Sequence, residues 1–146
     1  MVIIAAVDRS DHSSAVVTEA KELADAFNEP LEVVHVMSPS EFVKLEHTAV
    51  NEVGEALQMD KVEEVAQSFA EKACTNVTSN YRAVGLVGDT VSTVLDYADD
   101  QDARYLVIGG RKRSPAGKAL FGSVTQSILM NTDRPVLAVM LDVGDK

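Results

Sequence analysis

A cationic, glycine-rich stretch between Gly109 and Ser123 carries the side chains best suited to chemistry in this sequence. It contains no acidic residue and four cations, which are Arg111, Lys112, Arg113 and Lys118. An apolar run at 106–108 precedes the stretch, and a new apolar-periodic segment begins at its end, which predicts a strand, a loop and a helix N-terminus in that order. Because the first N–H groups of a helix have no internal partner and lie at the positive end of its dipole, we interpret this unit as a phosphate site.

The alternative interpretation is that the basic loop is solvated surface and that its glycines only connect elements. The stretch is not a Walker A motif, because Pro115 stands where a motif beginning at Gly110 needs its second glycine. Lys112 stands where a motif ending at Lys118 needs its first glycine. The dinucleotide fingerprint Gly-x-Gly-x-x-Gly is absent from the sequence. The local pattern therefore leaves both interpretations open.

Length and composition narrow the class of protein. A chain of 146 residues with 46% hydrophobic residues predicts one globular domain covering 1–146. The net charge of −10 argues against general nucleic-acid binding, which needs a basic face. No run of about 18 apolar residues and no cationic leader is present, so we expect no membrane association and a cytoplasmic location. The single cysteine, Cys74, is expected to be a small core residue.

Apolar runs and helical periodicities alternate along the chain. Strands are predicted at 2–7, 31–37, 81–87, 105–108 and 136–141, and the third, which is less hydrophobic, is expected near an edge. Helices are predicted from near His12, over 49–75, from Thr90 and from Ser123, while 38–48 is expected to be a loop with a short helical turn. This alternation predicts an α/β fold, with an open parallel sheet and helices on both faces. The pattern alone does not give the strand order.

Ligands of such sheets bind beyond the carboxyl ends of the strands, where the strand order reverses. That rule selects Asp8 after the first strand, the residues near Val36 after the second, and Gly109 after the fourth. Asp8 could instead end its strand and cap a turn. His35, in an otherwise apolar strand, is interpreted as a hydrogen-bonded core residue rather than a catalytic base.

The sequence also predicts the caps of two helices and the side chain that one helix buries. Ser10 or Asp11 is expected to cap the first helix, and Ser123 to cap the last, where its hydroxyl could also donate to a phosphate. Val124 is expected to face inward. Anion donors occur without a base beside them, so the sequence predicts binding rather than phosphoryl transfer.

Three segments share features with one known family. The first predicted strand ends in Val7-Asp8 and is followed by Ser10 and Ser13. The segment that contains the fourth predicted strand reads Asp-Ala-Arg-Tyr-Leu-Val-Ile-Gly at 102–109. The C-terminal part of the sequence contains Gly122-Ser123-Val124 and then Arg-Pro-Val-Leu-Ala-Val at 134–139. On these segments the sequence resembles the universal stress proteins. The nucleotide motif of that family is Gly, two residues, Gly, nine residues, Gly and then Ser or Thr. Its spacing is intact here, with Lys112 in place of the second glycine.

The resemblance implies an adenine nucleotide α-hydrolase-like sheet ordered 3-2-1-4-5 and a homodimer joined through the last strand, Val136–Leu141. For the nucleotide-binding branch of the family it also implies ATP across the ends of strands one and four, and we expect Mg²⁺ to accompany the ATP. Asp8 would face the adenine, and Val36 would pack near the base or ribose. The full set of implied ligand-contacting residues is Ala6, Val7, Asp8, Val36, Ile108, Gly109, Arg111, Lys112, Arg113, Gly122, Ser123 and Val124.

Three functions remain open, and Lys112 distinguishes the first two. Its charge could meet a phosphate oxygen, which favours a dimeric regulator of the stress response that binds ATP or a related adenine nucleotide. Its side chain could instead fill the pocket, which would make the chain a nucleotide-free dimeric interaction protein. A third alternative is a slow ATP hydrolase or phosphotransferase. The sequence does not identify a protein partner.

Overall fold

The computed structural model describes residues 1–53, 59–111 and 122–141. In this part of the chain, helices and strands alternate, except that two helices follow one another between the second and third strands. The elements are β1 (Val2–Ala6), α1 (Ser13–Phe27), β2 (Leu31–Met37), α2 (Pro39–Val53), α3 (Met59–Ala73), β3 (Arg82–Val87), α4 (Thr90–Asp100), β4 (Ala103–Arg111), α5 (Ser123–Asn131) and β5 (Val136–Leu141). None of the helices described has the length and apolar character that crossing a bilayer requires.

The strands form one parallel sheet in the order β3-β2-β1-β4-β5. This finding confirms the order implied by the family resemblance and the edge position predicted for the third strand. The chain starts at the centre with β1, adds β2 and β3 on one side, and then crosses to β4 on the other side. The strand order therefore reverses between β1 and β4, and their carboxyl ends border the crevice in which ligands of open α/β sheets bind.

Helices cover both faces of the sheet because its central strands are apolar on both sides. On one face, α1 contributes Val16, Val17 and Ala20 to a core with Ile3 and Val33. On the other face, α4 and α5 contribute Val94, Ala98 and Ile128 to a second core with β1, β2 and β4. All seven residues of β2 are buried, as expected of a central parallel strand.

Between β2 and β3, two helices replace the single long helix predicted over 49–75. The first, α2, begins at Pro39, within the segment expected to be a loop, and residues 54–58 lie outside the described part of the chain. A capping box explains this start: the Ser38 Oγ accepts from the Glu41 N–H at 3.2 Å, and the Glu41 Oε1 accepts from the Ser38 N–H at 3.4 Å. Proline at the first helical position also fits, because its fixed φ suits a helix start.

Strand β4 is longer than the sequence predicts. It extends to Arg111, and Gly109 and Gly110 pair with Val139 and Met140 of β5, so the glycines belong to the strand and not to the loop. Periodicity misses this extension because glycine contributes no apolar side chain to the pattern, although its backbone pairs like that of any other residue.

Candidate functional site

Asp8 lies exposed just beyond β1, at the reversal of strand order. Its Oδ1 accepts from the Ser10 N–H and from the Ser13 hydroxyl, both at 2.9 Å. The N-cap of α1 is His12, which makes no side-chain cap bond, so the prediction of Ser10 or Asp11 as the cap is wrong. The reason is that the Asp8 carboxylate organises the turn from outside the helix. The turn-capping role weighed for Asp8 is thereby confirmed, and its contact with a ligand stays a prediction.

Gly109 and the first turn of α5 are joined by a hydrogen bond that sequence reasoning missed. The Thr125 Oγ1 donates to the Gly109 carbonyl at 2.7 Å, which holds the helix N-terminus against the end of β4. A Cβ at Gly109 would lie 3.1 Å from Leu141 Cδ1 and 3.3 Å from Val16 Cγ2. Tight packing between α1 and β5 is thus one reason for this glycine. A hydroxyl residue in the first turn of the helix was the available signal for Thr125.

Gly122, and not Ser123, is the N-cap of α5, so the capping prediction for Ser123 is wrong. Gly122 has φ −72° and ψ 172°, an extended conformation open to any residue. The first intrahelical bond runs from the Gln126 N–H to the Gly122 carbonyl at 3.0 Å. The N–H groups of residues 123–125 therefore lack acceptors within the helix, as the anion-site interpretation requires.

The remaining predicted site residues differ in exposure. Val36 and Ile108 are 5% and 3% exposed and belong to the core under α4 and α5, while Val7 is 8% exposed and Ala6 is half-buried. Their packing roles are evident, and their contact with a ligand stays a prediction. Val124 is 43% exposed, so the expectation that it faces inward is wrong.

The cationic part of the predicted site is described only at its start. Arg111 is the last residue of β4 and pairs with Leu141. Lys112, Arg113 and Lys118 lie outside the described residues. The effect of Lys112 on the pocket therefore stays a prediction.

A cluster of side chains surrounds the buried His35 next to the end of β1. His35 is 3% exposed, with Nδ1 2.9 Å from the Val7 carbonyl oxygen and Nε2 3.1 Å from Glu41 Oε2. Arg9 lies 3.6 Å from the same Glu41 oxygen and 4.5 Å from the ring centroid of Phe69. The interpretation of His35 as a hydrogen-bonded core residue is confirmed. Its partners were missed, although Ser-x-x-Glu at 38–41 is a recognisable capping box.

The pKa values of Cys74 and Asp89 are shifted by their surroundings. Cys74 is buried, and burial raises the pKa of its thiol to about 11, which confirms it as a core residue. Asp89, the N-cap of α4, accepts from the N–H and hydroxyl of Ser92, and these bonds lower its pKa. Within the described ranges, no three His, Cys, Asp or Glu side chains are grouped to hold a metal ion.

The fold and the edge geometry define a class: an open parallel α/β protein with a helix N-terminus near the carboxyl ends of its central strands. The model of the universal stress protein family matches residues 1–140, and the chain belongs to this family.

Individual proteins agree with this assignment. A universal stress protein from Archaeoglobus fulgidus is 30% identical with a TM-score of 0.63, over 95% of this chain and 98% of that one. The universal stress protein from Archaeoglobus fulgidus in complex with dAMP is 25% identical with a TM-score of 0.58, over 95% of this chain and 97% of that one. The universal stress protein of Mycolicibacterium smegmatis is 49% identical over 51 residues, which cover 35% of this chain and only 39% of that protein.

Proposed function

We propose that this chain binds ATP or a related adenine nucleotide at the carboxyl edge of its sheet and acts as a regulator in the stress response. Gly122 is the observation that carries the proposal. Its backbone conformation does not require glycine, and an added Cβ would meet no atom of the described residues within 4 Å. A ligand that approaches the backbone closely supplies a physical reason for glycine at this position. The dAMP complex of a family relative supports the same ligand class.

The proposal assigns the nucleotide to backbone groups of α5 and to side chains near the ends of β1 and β4. The backbone N–H groups of residues 123–125 would receive phosphate oxygens, because they lack acceptors within α5 and lie at its positive end. Arg111 at the end of β4, with Lys112 and Arg113 next in sequence, would add cationic charge, and Asp8 would lie on the base side. Mg²⁺, when bound, would neutralise charge on the phosphates. These residues would bind and orient the nucleotide, and no catalytic role is assigned to any of them.

The test compares Gly122→Ala with the wild-type chain by isothermal titration calorimetry with ATP and Mg²⁺. We expect the affinity to fall about tenfold or more, since the methyl group occupies the space that the phosphates need. The free energy of unfolding should change by less than about 1 kcal/mol, because a more restricted unfolded chain offsets a poorer cap. Gln126→Ala, an exposed position one turn later, is the matched control and should bind like the wild type.

Two outcomes contradict the proposal. One is a wild-type chain that shows neither heat nor a thermal shift at millimolar ATP. The other is a Gly122→Ala variant that binds ATP as tightly as the wild type does. In the second case the nucleotide binds elsewhere on the molecule.

We further propose that the regulator is a homodimer joined through β5. In the described chain β5 pairs with β4 alone, so its other side presents unpaired backbone groups. Exposed apolar side chains accompany this strand, namely Met140 on β5 at 37% and Met130 and Val124 on α5 at 76% and 43%. Strand pairing between two copies would satisfy the free backbone groups of both.

A further inference from the structure

Both ring nitrogens of His35 face hydrogen-bond acceptors. Nδ1 lies 2.9 Å from the Val7 carbonyl oxygen, which can only accept. Nε2 lies 3.1 Å from Glu41 Oε2, which also only accepts when the carboxyl group is ionised. A neutral imidazole has one N–H and could satisfy one of the two acceptors. If His35 were neutral and Glu41 ionised, one of the two contacts would lack a hydrogen. The arrangement therefore requires one additional proton, on His35 or on Glu41.

The surroundings of Glu41 decide which residue holds that proton. The Arg9 guanidinium lies 3.6 Å from Glu41 Oε2, and the Ser38 N–H donates to the other oxygen, Oε1, at 3.4 Å. Both contacts favour an ionised carboxylate. Glu41 from α2 and Arg9 from the turn after β1 bring charge to this cluster, while α3 contributes the uncharged ring of Phe69. The proton is therefore assigned to the imidazole.

We propose that His35 is a positioning residue of the candidate site and acts as a buried imidazolium that fixes the peptide between Val7 and Asp8. The Val7 N–H donates to the Val34 carbonyl at 2.9 Å, and the Val7 carbonyl accepts from His35, so both strand-edge groups of Val7 are tied to β2. Asp8 follows directly, and its carbonyl accepts from the Ser13 hydroxyl at 3.0 Å. The orientation of Asp8 thus depends on the His35–Glu41 pair.

The consequence for Asp8 follows from the proton count. The imidazolium donates to both acceptors, and the Val7–Asp8 peptide is held. In a neutral ring one nitrogen lone pair would face an oxygen, and that contact would be repulsive. The Asp8 turn would then loosen. Only the effect on nucleotide affinity rests on the proposed function; the ring protonation and the Asp8 geometry do not.

The primary test is heteronuclear NMR of the free, nitrogen-15-labelled protein near neutral pH. We expect both ring nitrogens of His35 to carry hydrogens that exchange slowly with water. The exposed residue His12 serves as an internal control, and the hydrogens on its ring should exchange rapidly with water. A bare ring nitrogen on His35 at this pH would overturn the assignment, because the proton would then be on Glu41 or absent.

A second test uses Glu41→Gln, with Glu64→Gln at an exposed position of α3 as the control. The glutamine keeps the shape but removes the charge that stabilises the imidazolium. His35 should then lose a ring proton at neutral pH, and the backbone amide signal of Asp8 should shift, with neither change in Glu64→Gln. An unchanged Asp8 signal in Glu41→Gln would overturn the positioning role.

ATP titration of the same variants separates this inference from the proposed function. We expect Glu41→Gln to weaken ATP binding about fivefold, the size of one lost hydrogen bond, and Glu64→Gln to bind like the wild type. An unchanged affinity of Glu41→Gln, in a chain that does bind ATP, would overturn the inference. If the wild-type chain binds no ATP, the proposed function fails, while the ring protonation and the Asp8 signal still decide the inference.

Discussion

Gly109 packs between Val16 of α1 and Leu141 of β5, whereas a side chain at Gly122 would meet no described atom within 4 Å. The two glycines of one motif therefore serve different purposes. A methyl group at Gly109 would press on side chains that hold α1 and β5 against the sheet. A methyl group at Gly122 would enter open space at the N-terminus of α5. Only a substitution at Gly122 is therefore expected to change ligand affinity without changing the stability of the fold.

Because of Cys74, the free energy of unfolding is expected to decrease at alkaline pH. Burial raises the pKa of its thiol to about 11, whereas the thiol of an unfolded chain ionises near its ordinary value of about 8.5. The folded state thus holds this proton more tightly, and its contribution to stability is complete below about pH 8.5 and is lost as pH rises toward 11. Tyr81, whose pKa burial also raises, acts in the same direction.

We therefore expect the free energy of unfolding, measured by urea titration at several pH values, to decline above about pH 8.5 in the wild type. Cys74→Ala should show a shallower decline, whatever its stability at neutral pH. Equal slopes in the two chains would contradict the assignment. Thiol reagents should label the wild type only after unfolding.

Sequence reasoning located the residues at the strand ends better than it assigned their contacts. The position of Asp8 just beyond β1 follows from the apolar run before it, whereas Gly109 lies within β4 and not after it. The contacts of Thr125 with Gly109 and of His35 with Glu41 join residues whose proximity only the folded sheet determines. The cap of α5 was misplaced by one residue because glycine and serine are both acceptable caps.

At the scale of elements, α3 packs unusually close to β3. A Cβ on Gly85 would lie 2.3 Å from both the Gln67 N and the Glu63 carbonyl oxygen, which are backbone atoms of the helix. Such atoms cannot move aside as a flexible side chain can. The absence of a side chain at Gly85 is therefore what lets α3 cover the edge strand.

Gly85→Ala should accordingly lower the free energy of unfolding by about 3 kcal/mol, at the upper end of overpacking costs, because the helix must shift away from the strand. Urea unfolding followed by circular dichroism measures this change. Gly122→Ala is the matched control and should retain its midpoint. A Gly85→Ala chain with a wild-type midpoint would show that α3 does not pack this closely.

The clearest element boundaries in the sequence were those set by proline. Strands β2 and β5 have the predicted limits, since Pro30 and Pro135 immediately precede them. Helix α2 was missed because its sequence is largely polar and its start depends on a capping box after a strand. The extension of β4 was missed because two glycines interrupt the apolar pattern.

At the scale of the whole molecule, β5 is proposed to pair with a second copy of itself. Met140→Lys places a charge on the exposed side of this strand, and we expect it to weaken dimerisation about tenfold or more, since the charge must be buried or displaced. Val43→Lys, on α2 and 61% exposed, is the control. Light scattering over a concentration series measures the effect. A monomeric wild-type chain, or equal dimerisation in all three chains, would contradict the proposal.

The central claim is that the N-terminus of α5 and the ends of β1 and β4 together hold an adenine nucleotide. A crystal structure of the chain grown with ATP and Mg²⁺ tests it most directly. We expect phosphate density within hydrogen-bonding distance of the Ser123 N–H and the base on the Asp8 side. Nucleotide bound elsewhere, for example in the polar cavity of about 650 Å³ lined by Asn76, Tyr81 and Arg82, or a crevice filled by the Lys112 side chain, would contradict it.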